Sequence, residues 1–209
     1  WKDFLSKKLL GSYEVEGKHY TIQTVRVMPQ PFGAFFNAAL GSDGKVSNVP
    51  IMSEVVGVID IGTRTSDFIL VDGGMWKEDG ASGSIDRGVS NLVDAVTKRV
   101  SEKHNCELSV LKARDAIISK EIKVFGVTTD ITNIVDCEAS QLATFIVHRA
   151  KAYWKNGANI ETLLLTGGGS HVFKKYLEKA YPHVILTKNP SYSNAIGDWK
   201  WGVAKLYTK

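Results

Sequence analysis

The sequence is poor in cysteine, with Cys106 and Cys137 the two present in 209 residues. Their spacing matches neither a zinc nor a redox motif, which excludes a disulfide scaffold and fits a reducing compartment. No apolar run has the length of a bilayer span and no signal peptide opens the chain, so no membrane partner is expected. Long runs of one charge are missing too. Lys+Arg number 26 against Asp+Glu 22, a formal net charge of +4, and the two signs are interleaved. Without a basic stripe or an aromatic-basic alternation, direct nucleic-acid binding is not expected. The five histidines show no metal-ligand spacing. The one apparent glycosylation site, Asn189-Pro190-Ser191, is spoiled by its proline. Together these absences point to the cytoplasm. The first residue is Trp1 rather than methionine, inside a charged amphipathic stretch, which suggests a piece of a longer protein.

Two nucleotide signatures are also missing. Gly11 to Lys18 superficially suggests a P-loop, but the glycines are one residue too far apart and His19 stands where Ser or Thr is required. No Gly-x-Gly-x-x-Gly follows a strand, so a Rossmann dinucleotide site lacks support.

What is present is an ordinary globular composition, 44% hydrophobic and 23% charged, long enough for one large or two small domains. Strand and helix patterns alternate, which predicts an α/β layered fold. Tyr13, Val15, Tyr20 and Ile22 flank a turn at Glu16-Gly17-Lys18 and predict a β-hairpin, its second strand running on through Val25 and Val27. A short helix is expected from about Phe32 to Leu40. Apolar runs at 55–61, 68–71, 162–166 and 183–186 predict buried strands. Helices are predicted after residue 88, with Val89, Leu92, Val93, Val96 and Val100 inward, and over roughly 137–156, with Leu142, Phe145, Ile146 and Tyr153 inward. Val172, Phe173, Tyr176 and Leu177 share a third helical face. Between Cys106 and Thr129 a short helix and a strand near 122–125 are expected. In the last helix Tyr192, Ala195, Ile196, Trp199, Val203 and Leu206 recur at helical spacing and predict the inward face.

Three segments could carry chemistry. Asp60-Ile61-Gly62-Thr63-Arg64-Thr65-Ser66-Asp67 closes a buried strand with an acid, turns on a glycine and leaves on a second strand. Such a hairpin can aim backbone N–H groups and hydroxyls at a phosphate, while Asp60 holds a magnesium ion through water. Taken alone it reads more readily as a surface hairpin with satisfied turn residues. Thr166-Gly167-Gly168-Gly169-Ser170 follows a buried strand and opens a helix. Its glycines allow close approach to a flat ligand, or merely a tight connection. Gln30, between Pro29 and Pro31, is a stiffly held amide suited to orienting a water without titrating, or an ordinary loop residue.

In this order the three segments resemble the actin/chaperone/sugar-kinase superfamily, and in detail the ParM-type bacterial actin-like ATPases of plasmid segregation. Val25-Arg26-Val27-Met28-Pro29-Gln30 is similar to the approach to that family's hydrolysis loop. Residues 58–67 resemble its second phosphate motif, and Gly88-Val89-Ser90 the start of the helix that follows. Residues 165–169 resemble its adenosine motif. Asn189 to Gly202, with Asn194 and Gly197, is similar to its closing helix.

The resemblance implies an RNase-H-like, actin-type fold, a mixed sheet flanked by helices. Residues 1–28 would be the terminal strands of an incomplete first domain. Residues 29–190 would form the second, nucleotide-binding domain, and 191–209 a helix returning to the first. It implies ATP/ADP and Mg2+ as cofactors. Gln30 would orient water and Asp60 hold the metal's water shell. Gly62, Thr63, Arg64, Thr65 and Asp67 would receive phosphate, and Gly167, Gly168 and Gly169 would floor the adenosine. The implied partners are further copies in a filament and an adaptor protein bound to plasmid centromere DNA. The family's first phosphate loop is absent from this sequence, so ATP hydrolysis is expected of the complete protein and not of this chain alone. Arg64 replaces a small residue common in the motif, and Gln30 a glutamate of some relatives. The competing readings are a small-molecule kinase of the same superfamily and a non-catalytic actin-like scaffold.

Overall fold

The computed structural model describes residues 2–78 and 80–206, and the chain divides after Gln30 into two units. The first carries helix α1 (Lys2–Leu9) and a hairpin of β1 (Gly11–Val15) and β2 (Lys18–Ile22), in which Tyr13 faces Tyr20. The hairpin lies where its alternation predicts, but β2 stops at Ile22 and does not run through Val25 and Val27. Among the described residues no third strand pairs with this ribbon, so nothing extends the ladder.

The second unit begins with α2 (Pro31–Ala39), a nine-residue helix opened by its proline, and a one-turn α3 (Val49–Ser53). Then come β3 (Val55–Ile61), β4 (Ser66–Asp72), β5 (Met75–Lys77) and β6 (Gly83–Ile85). Next are α4 (Val89–His104), α5 (Val110–Ser119), β7 (Glu121–Val124), β8 (Val127–Asp130) and α6 (Thr132–Tyr153). The chain closes with β9 (Thr162–Thr166), α7 (Ser170–Leu177), β10 (Val184–Leu186) and α8 (Ser193–Leu206). The strand order is β10-β9-β3-β4-β5, with β6 also paired to β4. β10, β9 and β3 run parallel, whereas β3 and β4 form an antiparallel hairpin. The sheet is therefore mixed, and its central strands are near-continuous apolar runs because both faces are covered.

One face packs on α4, α6 and α7. Ile59, Ile61, Phe68, Leu163 and Leu165 from the strands meet Leu92, Val96, Ile146 and Phe173 in one core cluster. Alternate residues point the other way. There α2 lies over β3, β4 and β9, and α8 crosses α2.

That crossing overturns the expected orientation of α8. A methyl group on Gly197 would overlap the Gly33 carbonyl, and one on Gly33 would overlap the backbone of Asn194, so the helices touch backbone to backbone. Close approach selects the small-residue face of α8, with Ser193 and Gly197 buried. The apolar stripe faces outward instead: Tyr192 is 71%, Trp199 56% and Leu206 74% exposed. Trp201 sits on the other side and stacks on Phe36 at 6.0 Å. The expected last helix extends into residues 207–209, which lie outside the described residues.

Smaller differences have local causes. α6 starts at Thr132, earlier than the apolar pattern suggests; Asp130, just ahead of the N-cap Ile131, accepts the first helical N–H, that of Thr132, on Oδ1 at 2.8 Å. It ends at Tyr153, ahead of Lys155 and Asn156, whose positive φ values break the helix. Phe145, expected inward, is 42% exposed and lies 5.8 Å from the Arg87 guanidinium. The stretch after Cys106 holds α5 and β7, the expected short helix and strand near 122–125, and also β8, which pairs with β7. No described helix is long and apolar enough to cross a membrane.

Candidate functional site

β3 and β9 are neighbouring parallel strands with Asp60 in register with Thr166, so their carboxyl ends deliver two of the sequence motifs to one place. This is where ligands bind in open α/β sheets, because loops there leave the strands together. The hairpin from β3 to β4 brings in the remaining acid: Asp67 lies directly across from Asp60.

Asp60 is an even-numbered residue between Ile59 and Ile61, which face the α4–α6 core, so strand alternation turns it toward α8. It is only 5% exposed. Asn194, on the first turn of α8, donates Nδ2–H to Asp60 Oδ2 at 2.6 Å. Burial pushes the Asp60 carboxyl above the usual carboxylate range; the Asn194 hydrogen bond opposes this, and the negative charge of Asp67 adds to it. On its other oxygen Asp60 abuts Gly167, where any side chain would overlap Oδ1. Gly167 has φ +87°, so the turn after β9 needs glycine both for its backbone angle and for this contact.

The hairpin turn is held from behind. The Gly62 N–H closes onto the Thr65 carbonyl at 2.9 Å. The first amides of α4 grip it, Val89 N–H to the Gly62 carbonyl at 3.0 Å and Ser90 N–H to the Thr63 carbonyl at 2.8 Å. Thr65 Oγ1 donates to Asp67 Oδ2 at 3.0 Å. Thr63 and Arg64 are exposed at the tip.

The glycine triplet splits its duties. The Gly169 N–H binds the Ile61 carbonyl at 2.9 Å, and the Gly167 N–H binds the Pro190 carbonyl at 3.1 Å, tying the turn to β3 and to the approach of α8. Gly168 is exposed, with only Ser191 Oγ at 4.0 Å from where a Cβ would stand. Behind it Thr166 Oγ1 donates to the Pro190 carbonyl at 3.0 Å and pairs with Thr187 Oγ1 at 3.1 Å.

Thus Asp60, Gly62, Thr63, Arg64, Thr65, Asp67, Gly167, Gly168 and Gly169 all lie in the second unit, along the carboxyl ends of β3 and β9 and the hairpin between β3 and β4. Gln30 is the exposed last residue of the first unit. Two residues at this site were not singled out for a role from sequence, Asn194 and Thr166. Asn194 offered only its place in the Asn-Ala-Ile-Gly stretch opening the last helix.

The residues fit a hydrated cation better than a caged one. Two carboxylates face each other across adjacent strands, an arrangement that repels unless a positive charge intervenes. Among the described residues there is no group of three or more His, Cys, Asp or Glu able to hold a metal directly. Such a pairing suits an ion that keeps most of its water.

A family model described as archaeal actin homologue, MreB-like, C-terminal, matches residues 58–179, more than half of the chain. No curated protein matches significantly. Among solved structures, the archaeal actin homolog Ta0583 has a TM-score of 0.76 at 18% identity, covering 96% of this chain and 63% of its own. The actin-like protein Alp7A has a TM-score of 0.75 at 17% identity, with coverage of 98% and 62%. A 15-stranded ParM filament from Clostridium botulinum gives 0.69 at 20% identity, with coverage of 91% and 57%. The chain thus spans about six-tenths of the length of the structures it resembles, and at these identities the likeness shows the actin-like fold. With the family model spanning both the hairpin at Asp60 and the glycine triplet, the chain belongs to the family of MreB-like archaeal actin homologues, matching their C-terminal part.

Proposed function

We propose that the chain is the nucleotide-holding part of an actin-like ATPase that polymerises with ATP and moves plasmid DNA through an adaptor protein bound to the plasmid centromere. The observation that carries this reading is the placement of Asp60. It is buried at the carboxyl end of β3, between the Gly167 backbone and the Asn194 amide and across from Asp67. A buried carboxylate next to a like charge is costly for a structural role alone, and it is what a cation site needs. One of the solved relatives, Ta0583, has been captured in complex with ADP, and the ParM and Alp12 relatives as filaments.

In this reading the phosphates meet the hairpin tip at Thr63–Thr65, because the Gly62 amide is spent within the turn. Arg64, exposed there, supplies a positive charge to them. Gly168 presents bare backbone to the adenosine, while Gly167 and Gly169 hold that backbone against β3. Magnesium, when bound with ATP, neutralises charge that builds on the phosphates during transfer. Asp60 orients the water shell around it. Gln30 orients the attacking water and carries no proton, since an amide does not titrate. No covalent intermediate is required, because phosphoryl transfer runs on positioning and electrostatics.

The test is the full-length protein in light scattering with ATP and magnesium, alongside phosphate release. A scattering rise that decays as ATP is consumed supports the reading. Asp60→Ala should lower magnesium-dependent phosphate release at least about 100-fold. Undiminished release from that variant removes Asp60 from the mechanism. Absence of both scattering and release in the wild type leaves a non-catalytic scaffold or a small-molecule kinase that consumes ATP only with its substrate.

A further inference from the structure

Asn194 has a feature that packing does not explain. Its Nδ2–H is bonded to Asp60 Oδ2 at 2.6 Å, yet its Oδ1 is buried and has no hydrogen-bond partner among the described residues. The two ends of the amide cannot be exchanged, because an ionised carboxylate only accepts and must face the NH2 group. A buried amide oxygen left without a donor is costly, and such groups call for a ligand or water.

The side chain is also unusually well fixed. Asn194 lies in the first turn of α8, and its backbone is in close contact with Gly33 of α2. One turn on, Gly197 lies against the Gly33 carbonyl. Beside it Asn37 Nδ2 donates to Ser193 Oγ at 2.9 Å and to the Lys188 carbonyl at 3.0 Å. Neither helix can slide without breaking these contacts, so the amide is held at a set position against Asp60. Among the described residues, Asn194 alone donates a side-chain hydrogen bond to the Asp60 carboxylate.

We infer that Asn194 is a positioning residue for the cation that accompanies the nucleotide. It fixes the Asp60 carboxylate with its donor, and with its free oxygen accepts a hydrogen bond from that cation's water shell. An uncharged acceptor beside a carboxylate adds a contact for metal-bound water without adding a third negative charge to the Asp60–Asp67 pair. This rests on the reading of Asp60 as the cation carboxylate. It also predicts a specific signature: Asn194 matters for the coupling between magnesium and nucleotide, not for the nucleotide alone.

The experiment measures the affinity of the full-length protein for a fluorescent ATP analogue, with magnesium and with EDTA, in wild type, Asn194→Ala and Asn194→Ser. Thermal unfolding without nucleotide is measured alongside. Magnesium should tighten wild-type binding. In Asn194→Ala that magnesium-dependent gain should fall about tenfold, while affinity in EDTA changes less than about threefold. Asn194→Ser, which keeps a short donor and acceptor, should recover part of the gain. A full gain in Asn194→Ala overturns the inference. So does an equal loss with and without magnesium, which assigns Asn194 to the fold; if Asn194→Ala is unfolded, the serine variant decides by the same two ratios. A wild type that binds nucleotide with no magnesium dependence fails the Asp60 reading itself, and this inference with it.

Discussion

Two aspartates on opposite sides of the sheet, Asp136 on the covering helix α6 and Asp60 on strand β3, are treated in opposite ways. On the α4–α6–α7 side, Asp136 Oδ1 accepts from Lys120 Nζ at 3.0 Å, Lys175 Nζ at 3.1 Å and Tyr176 Oη at 2.9 Å. Burial alone would raise its pKa, but these hydrogen bonds hold it at about 2. On the α2–α8 side, Asp60 has one neutral donor and a like charge, and its carboxyl is pushed up. The packing differs in parallel. On the Asp136 side the helices meet through large apolar side chains, whereas on the Asp60 side α2 buries Phe35 and Phe36 but crosses α8 through glycine contacts between two backbones. One face is arranged for stability. The other accepts an uncompensated charge at the point where a ligand would compensate it.

The largest effect that tests this contrast is on the glycine crossing. Gly197→Val drives a branched side chain into the Gly33 carbonyl, and no flexible side chain there can yield. Stability of the chain should drop by at least about 4 kcal/mol, measured by denaturant unfolding. A loss under about 1 kcal/mol would mean that α2 and α8 separate easily and that the Asn194–Asp60 bond is not mechanically fixed.

The acids should answer to pH with opposite signs. Asp136 sits below its unfolded value of about 3.9, so its contribution is present above that value and is lost as pH falls toward about 2. Its side chain is 38% exposed, so Asp136→Asn should cost only about 1 kcal/mol near neutrality, and the difference should vanish across that acid window. Asp60 is raised, so its charge destabilises the metal-free chain at neutral pH, and the penalty disappears as pH falls below the unfolded value. Asp60→Asn should therefore stabilise the metal-free chain, by up to about 1 kcal/mol, while impairing magnesium-dependent function. If both substitutions destabilise equally, the contrast between the faces fails.

Legibility in the sequence follows the same divide. On α4, hydrophobic spacing gives the inward face correctly, with Leu92, Val93, Val96 and Val100 buried as their period requires, whereas on α6 it holds for Ile146 and fails for the exposed Phe145. The strands β3 and β9 were read to the residue, since apolar runs between glycine turns have little other use. The motif residues from Asp60 to Asp67 and from 167 to 169 were legible as segments, but their convergence depends on the parallel pairing of β3 with β9, a contact across about a hundred residues that no local pattern encodes. Asn194 and Gly197 were legible only as part of the closing-helix stretch; the contact of Asn194 with Asp60 depends on the crossing of that helix with the distant Gly33, which no local pattern encodes.

α8 is where the period misled, and it supplies the smallest and most discriminating effect. Tyr192, Ala195, Ile196 and Trp199 form a regular apolar stripe, and a stripe of that kind ordinarily marks the buried side of a helix. Here close backbone approach at Gly33 takes precedence, because turning the stripe inward would require about the width of an indole where two backbones already touch. In this chain Trp199→Ala should change unfolding free energy by no more than about 0.5 kcal/mol, as befits a side chain 56% exposed. A core tryptophan would cost about 3 kcal/mol or more. A loss of that size would show that α8 turns its stripe inward, and would break the Asn194–Asp60 geometry that the candidate site depends on.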